Sequence, residues 1–238
     1  MVLERKVNAM PKTVLITGAD RGVGFALCEC FLKGGWQVIA GQYMPDWPQL
    51  SQLSRQEPEN LHIIPLDVSD TESVNTAAKA CAALCSTIDL LISCAGISGN
   101  EEYDNMRAVF NVNTIAALRV TEAFLPLMQG GLKRLAYISS EAGSISVAHR
   151  QDTFSYTMSK TALNMVVRRM FRTLRPQGYS FRLYHPGWVR SYMMGTKSTV
   201  GNFEPEEAAE AAYRQFITDR PTEDVLVMTD ISGEMWPY

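Results

Sequence analysis

Short runs of consecutive apolar residues alternate along this chain with longer stretches in which apolar positions recur every three or four residues. The first pattern predicts strands buried on both faces, and the second predicts amphipathic helices. "TVLIT" (13–17) precedes a helical pattern around "GFALCECFLKGG", and "QVIAG" (37–41) precedes a short one in "PQLSQLSRQ". "LHIIPL" (61–66) leads into "DTESVNTAAKACAALC". "IDLLIS" (88–93) leads, after a loop, into one long helix spanning roughly "YDNMRAVFNVNTIAALRVTEAFLPLM". "KRLAYISS" (133–140) is followed by a long loop and the helix "SYTMSKTALNMVVRRMFRTL". "SFRLYHP" (180–186) leads through a loop to "PEEAAEAAYRQFI", and "DVLVM" (224–228) reads as a last strand.

Apolar strands separated by helices predict a parallel sheet covered on both faces. Right-handed crossovers make that an α/β fold, a single-domain doubly wound Rossmann-type sheet with helices on both faces. No repeat, low-complexity tract or linker interrupts the pattern, so residues 1–238 are expected to form one domain. The net charge is -3 with no dense basic stretch, so no nucleic-acid partner is expected. The opening "MVLERKVNAMPK" lacks a signal-peptide core, and no later apolar run is long enough to cross a bilayer. No membrane partner is therefore expected, and the location expected is cytoplasmic. Five cysteines and three scattered histidines form no ligand pattern, so no metal is expected and the thiols read as reduced.

Several positions carry candidate chemistry. In "TGADRGVG" (17–24), Gly18, Gly22 and Gly24 stand where the first strand turns into a helix. Glycine permits close approach of a ligand to the backbone, and the helix N-terminus offers N–H groups to a pyrophosphate. "SYTMSK" puts Tyr156 and Lys160 one turn apart on one helix face. A cation beside a phenol favours the phenolate, and such a tyrosine can give or take a proton. A plain stem contact on the helix face is the alternative. Ser139 and Ser140 close a strand, where ligands bind in such sheets. Asn113 stands inside a helix, where an asparagine disturbs the backbone and needs a reason; Asn111 competes with it. Asp67 follows the third strand and can accept from an adenine amino group or cap the next helix.

The G-x-x-x-G-x-G spacing, with "LDVSD" (66–70), "SCAG" (93–96), "FNVN" (110–113), "YISSEAG" (137–143), "YTMSK" (156–160) and "HPGWVRS" (185–191), resembles the short-chain dehydrogenase/reductase family. The motifs run in order over nearly the whole chain. The resemblance implies an NAD(P)(H)-dependent oxidoreductase that interconverts a small-molecule carbonyl and a secondary alcohol by hydride transfer. It makes Tyr156 the acid/base. Lys160 lowers its pKa and binds the nicotinamide ribose. Ser140 is the catalytic serine, with Ser139 a turn residue, and Asn113 holds a water in the relay. Gly18, Arg21, Gly22, Val23, Gly24, Asp67, Val68, Ala95 and Gly96 are expected at the cofactor. Cys94 joins them, Ser93 and Cys94 replacing two asparagines of the family pattern. Pro186 and Gly187 are expected to shape the nicotinamide pocket, with Val189 and Ser191 contacting the carboxamide. The second strand ends in Gln42 and Tyr43, with no acid to repel a 2′-phosphate, and Arg21 lies in the glycine turn. Both features favour NADP(H) over NAD(H).

Ser140 and Tyr156 stand 16 positions apart, a longer gap than the family pattern. The extra length falls in "GSISVAHRQDTF", where His149, Arg150, Gln151 and Asp152 either recognise a polar substrate or are solvated. A short lid is expected near 190–206, with Met193, Met194 and Phe203 as apolar contacts. Family members pair their long helices between subunits, which implies a homodimer or homotetramer. Val109, Val112, Ala116, Leu163, Val166, Val167 and Met170 supply such faces, or pack on their own sheet. "DISGEMWPY" and "HPGWV" are similar to a branch of C-factor-like signalling proteins and sniffer-type carbonyl reductases. The altered "SCAG" and the longer loop leave an NAD(P)-binding sensor or signalling protein with little turnover as the alternative function.

Overall fold

The computed structural model describes residues 11–147, 149–193 and 195–238. Alternate residues of a strand point to opposite faces of the sheet, and here both sets are apolar. In β1 (Thr13–Ile16), Leu15 packs on one face while Val14 and Ile16 pack on the other. The same division runs through β2 (Gln37–Gln42), β3 (Leu61–Pro65), β4 (Leu90–Ser93), β5 (Arg134–Ile138) and β6 (Ser180–Tyr184). Two short strands follow, β7 (Met228–Thr229) and β8 (Met235–Trp236). The sheet order is β3-β2-β1-β4-β5-β6-β7-β8, parallel throughout except that β8 runs antiparallel to β7.

Helices cover both faces. On one lie α1 (Gly22–Lys33), α2 (Pro48–Gln56) and α7 (Pro205–Ile217), which bury Leu27, Phe31, Leu50 and Phe216. On the other lie α3 (Thr71–Leu84), α5 (Ala116–Phe124) and α6 (Phe154–Leu174), which bury Val74, Phe124, Leu163 and Val167. α4 (Tyr103–Phe110) packs beside α6. The chain leaves β3 at the edge and returns beside β1 as β4. A crevice therefore opens at the carboxyl ends of β1 and β4, where ligands bind in open α/β sheets.

Three features depart from the expected elements. The last strand forms at 228–229, not 224–228, and the C-terminal segment adds the unexpected β8. An Asp230 turn closes that hairpin, its carboxylate accepting from Ser232 N at 2.8 Å and Glu234 N at 3.0 Å. The long helix over 103–128 is broken by a π-helical turn at Asn111–Ile115 and ends in a 3₁₀ turn at Leu125–Met128. Finally, Val109, Ala116, Leu163, Val167 and Met170 are buried in the chain's own core, with Val112 and Val166 packed against it. Ile115, Leu118, Met158 and Met165 are instead among the exposed apolar residues of these helices. Among the described residues, no helix is long and apolar enough to cross a membrane.

Candidate active site

A cleft of about 700 Å³ lies over the carboxyl ends of the strands. Its floor is tied by Thr17, a residue without a role in the sequence reading. The Thr17 hydroxyl accepts from Cys94 N at 3.0 Å and Ala95 N at 3.1 Å, joining the ends of β1 and β4. Gly18 has φ +64°, and a Cβ there would stand 2.7 Å from Ala95 Cα, so only glycine fits. A Cβ on Gly24 would lie 2.1 Å from the Gly18 carbonyl oxygen, so the helix can follow this closely only without a side chain. α1 starts with no side-chain cap and no acidic residue in its first turn. Its positive end suits a pyrophosphate. Arg21, Gly22, Val23, Cys94, Ala95 and Gly96 line the same region. Burial pushes the Cys94 thiol up to about 12, the mark of an inert buried thiol.

On the far side, Asp67, Val68 and Tyr43 line the cleft, whereas Gln42 does not. The Gln42 side chain ends in a buried amide nitrogen without a hydrogen-bond partner. Asp67 accepts from Ser69 N and Ser69 Oγ through Oδ1. Asp70, not Asp67, caps α3, accepting from the amides of Glu72 and Ser73. Asn111 donates to Ser69 O at 3.0 Å, and Arg119 bridges Val68 O and Asn111 Oδ1. The pair thus fixes the loop after β3 to the helix layer. The buried Asp20 accepts from Tyr43 N and Met44 N, bringing to the end of β2 an acid that the local sequence there lacks.

The two asparagines of "FNVN" have separate tasks. Asn113 is buried behind the cleft, accepting from Ile97 N and donating to Ile97 O, both at 2.8 Å. This pull on the loop after β4 coincides with the π-helical turn, a distortion frequent at functional sites. A Cβ on Gly96 would stand 3.5 Å from Asn113 Oδ1 and 3.7 Å from Lys160 Nζ, so Gly96 lies between the two.

Tyr156, Lys160 and Ser140 meet at the other end of the cleft. Lys160 is buried and donates to Ile138 O at 2.9 Å, with Nζ 5.7 Å from the Tyr156 ring centre. Burial pushes Lys160 down to about 8, so its proton is easily lost. Burial pushes Tyr156 up to about 12, the Ser140 hydroxyl pulling it back. Burial thus drives the proton affinities of the two neighbours apart, and desolvation, not the Lys160 charge, dominates the phenol. Ser139 turns its hydroxyl to Asn164 at 2.6 Å. Ser140 donates to Glu141 Oε2 at 2.6 Å and accepts from Ala142 N at 3.1 Å. Arg150 Nε lies 2.8 Å from Glu141 Oε1. Glu141 had no role in the sequence reading; its partner arrives from the long loop between Ser140 and Tyr156.

Pro186, Gly187, Val189 and Ser191 line the wall after β6. The Phe203 ring packs on Gly187, and Arg190 N donates to Phe203 O at 2.9 Å, pinning the base of the 190–206 segment. Tyr192 reaches back to Trp47, ring centres 5.3 Å apart, with the Arg21 guanidinium 4.9 Å over the Trp47 ring. Met193 lines the cleft; Met194 lies outside the described residues.

A glycine-cradled groove leading to a tyrosine, a lysine and a serine on a doubly wound sheet defines a nucleotide-dependent enzyme of the Rossmann class. The short chain dehydrogenase family model matches residues 12–200. C-signal of Myxococcus xanthus is 42% identical over 120 residues, covering 48% of this chain and 72% of its own. Short-chain dehydrogenase/reductase atnB of an Arthrinium species is 30% identical over 225 residues, 86% of this chain and 84% of its own. The NADPH-bound carbonyl reductase from chicken fatty liver superposes with a TM-score of 0.84 at 28% identity, covering 96% of this chain and 99% of its own. The chain belongs to the short-chain dehydrogenase/reductase family. It is an oxidoreductase that takes a nicotinamide cofactor and a small-molecule substrate.

Proposed function

We propose that this protein interconverts a carbonyl and a secondary alcohol with NADP(H), Tyr156 moving the substrate proton. The observation that carries this reading is the meeting of Tyr156, Lys160 and Ser140 at one end of a glycine-cradled cleft. The nicotinamide supplies or takes the hydride when bound. Tyr156 gives its proton to the substrate oxygen in reduction and accepts it in oxidation. Lys160, pushed down to about 8, passes that proton on. Ser140 stands beside the phenol at the same end of the cleft, and Asn113 braces the Ile97 loop against which Lys160 stands. NADP(H) is favoured by Arg21 at the cleft rim and by the NADPH bound in the chicken carbonyl reductase. Asp20 acts against it, though its charge is partly neutralised by the Tyr43 and Met44 amides. We read the chain as one NAD(P)-binding domain with a lid at 190–206, assembled as a homodimer or homotetramer. Five unpaired thiols suit a cytoplasmic location.

A second reading, an NAD(P)-binding signalling protein with little turnover, draws on the likeness to C-signal. One experiment separates them. Tyr156→Phe should bind NADPH nearly as the wild type does and lose turnover on the order of 10²–10⁴-fold across a panel of aldehydes, ketones and quinones. Lys160→Ala should lose turnover and bind NADPH more weakly as well. Turnover unchanged in Tyr156→Phe removes Tyr156 as the acid/base, and turnover absent from the wild type over the whole panel favours the signalling protein.

A further inference from the structure

The proton of Ser140 is already in use. A hydroxyl has one proton and two lone pairs. Here the proton goes to Glu141 Oε2 at 2.6 Å, and one lone pair accepts from Ala142 N at 3.1 Å. A hydrogen bond of that length to a carboxylate is of the strong, charge-assisted kind. Ser140 therefore offers the cleft a lone pair, and its proton is withheld from a substrate oxygen.

A carboxylate at this point is an awkward neighbour. Negative charge develops on the substrate oxygen and on Tyr156 during proton transfer, and in a dry cleft a fixed charge is felt strongly. Arg150 meets that difficulty. It lies in the long loop between Ser140 and Tyr156, and two guanidinium nitrogens engage Glu141 Oε1. Both residues line the cleft with Tyr156, and the side chains are only 15% (Glu141) and 33% (Arg150) exposed. Glu141 is half-buried, and Arg150 reaches it from the exposed loop.

We propose that Glu141 and Arg150 are positioning residues for the proton transfer, Glu141 orienting the Ser140 hydroxyl and Arg150 cancelling the carboxylate's charge beside Tyr156. The proposal rests on the reading of Tyr156 as the acid/base. The other charged or titratable groups around the pair are few. Lys160 lies on α6 and Cys94 follows β4. His185, after β6, has Nδ1 3.8 Å from Glu141 Oε2. That nitrogen accepts from Gly187 N, so it carries no proton and the ring adds no charge. Burial keeps His185 below its ordinary value, and Asp230 lies behind it. Glu101, in the loop before α4, accepts from Ser155 N at the start of α6. Of these, only Glu141 and Arg150 act on Tyr156 as a balanced pair: burial raises the phenol, Glu141 adds to the rise and Arg150 opposes it.

The test reads Tyr156 ionisation directly, in the NADP⁺-bound protein. Tyrosinate absorbance at 295 nm is titrated upward from about pH 8 through the Tyr156 midpoint, with circular dichroism checking the fold at each pH, and compared with the matched Tyr156→Phe protein. This is done for the wild type, Glu141→Gln, Arg150→Gln and the double variant. Arg150→Gln leaves a bare carboxylate and should raise the Tyr156 midpoint by on the order of one pH unit. Glu141→Gln leaves a bare guanidinium and should lower it by a similar amount. The double variant should return to near the wild-type value, an opposition that a merely structural pair would not show. The same order should appear in the pH profile of 1-phenylethanol oxidation with NADP⁺. Midpoints that coincide in all four proteins, or single variants that shift in the same direction, overturn the proposal. If those shifts are absent while Tyr156→Phe is inactive, the pair alone loses its role. If Tyr156→Phe oxidises 1-phenylethanol as the wild type does, the reading of Tyr156 fails and the proposal falls with it.

Discussion

Arg21 is the point where the glycine turn, the start of α2 and the 190–206 segment come together. Its guanidinium stacks over Trp47, faces Tyr192 and donates to Gly195 O at 3.4 Å. Stacking holds the charge at the rim of the cleft without neutralising it, since an aromatic face offers no counter-charge. A 2′-phosphate there would meet an oriented cation; a 2′-hydroxyl would gain little. Arg21→Ala is expected to weaken NADPH binding by about tenfold or more, the worth of one charged hydrogen bond, and to leave NADH nearly unchanged. Calorimetry on both cofactors checks this, and an equal loss for the two removes Arg21 from the role. The positions of such residues were legible: Tyr156, Lys160, Ser140 and the glycines stand in motifs that resemble those of the family, and the structure brings them to one cleft. Their electrostatics were not legible. Lys160 spends a hydrogen bond on the Ile138 carbonyl, and the acid at the end of β2 is Asp20, 22 positions before Gln42.

Among the elements, β6 carries an arginine where an apolar residue would be expected. Arg182 is 1% exposed and grips Glu223 through both carboxylate oxygens, at 2.7 and 2.8 Å, while also donating to Thr218 O and Gln215 O. It ties the segment after α7 to the sheet and so positions β7 and β8. Burial of Glu223 opposes its ionisation, but the hydrogen bonds and charge of Arg182 prevail and hold the carboxyl below its ordinary value of 4.5. A carboxyl whose folded pKa is depressed adds stability above its unfolded pKa and loses it as pH falls through the folded one. Glu223→Gln is thus expected to cost on the order of 3 kcal/mol at pH 7, because it strands a buried guanidinium. The difference from wild type should shrink as pH falls below about 4.5. Urea unfolding at pH 7 and pH 4 measures it; a gap that stays constant with pH removes the ion pair as its cause. No local pattern announced this pair, since its members are 41 positions apart.

For the whole molecule, assembly falls to the apolar residues that the π-helical turn, α5 and α6 leave exposed. Ile115, Leu118, Met158 and Met165 are exposed there at 37 to 62%, while the stripe read from periodicity lies inside. A contiguous patch of exposed apolar residues marks a protein interface, whereas scattered ones do not. Sedimentation is expected to show a dimer or tetramer at micromolar concentration, and Met165→Lys should shift it towards the monomer. A wild type that sediments as a monomer refutes the assembly. The order of strands and helices, the doubly wound class and the cofactor groove were determined by the sequence alone, because each rests on short-range features: apolar periodicity, glycine at a turn, one helical turn between two side chains. Which of the two apolar faces of a helix meets the sheet could not be read that way, because both carry the same periodicity. The tertiary structure decided this, as it decided the π-helical turn, the β8 hairpin and the Ser140–Glu141–Arg150 chain. Each depends on groups distant in sequence that meet only after the sheet has formed, and a hydrogen bond or charge pair acts over a few ångströms of space, whatever the separation along the chain.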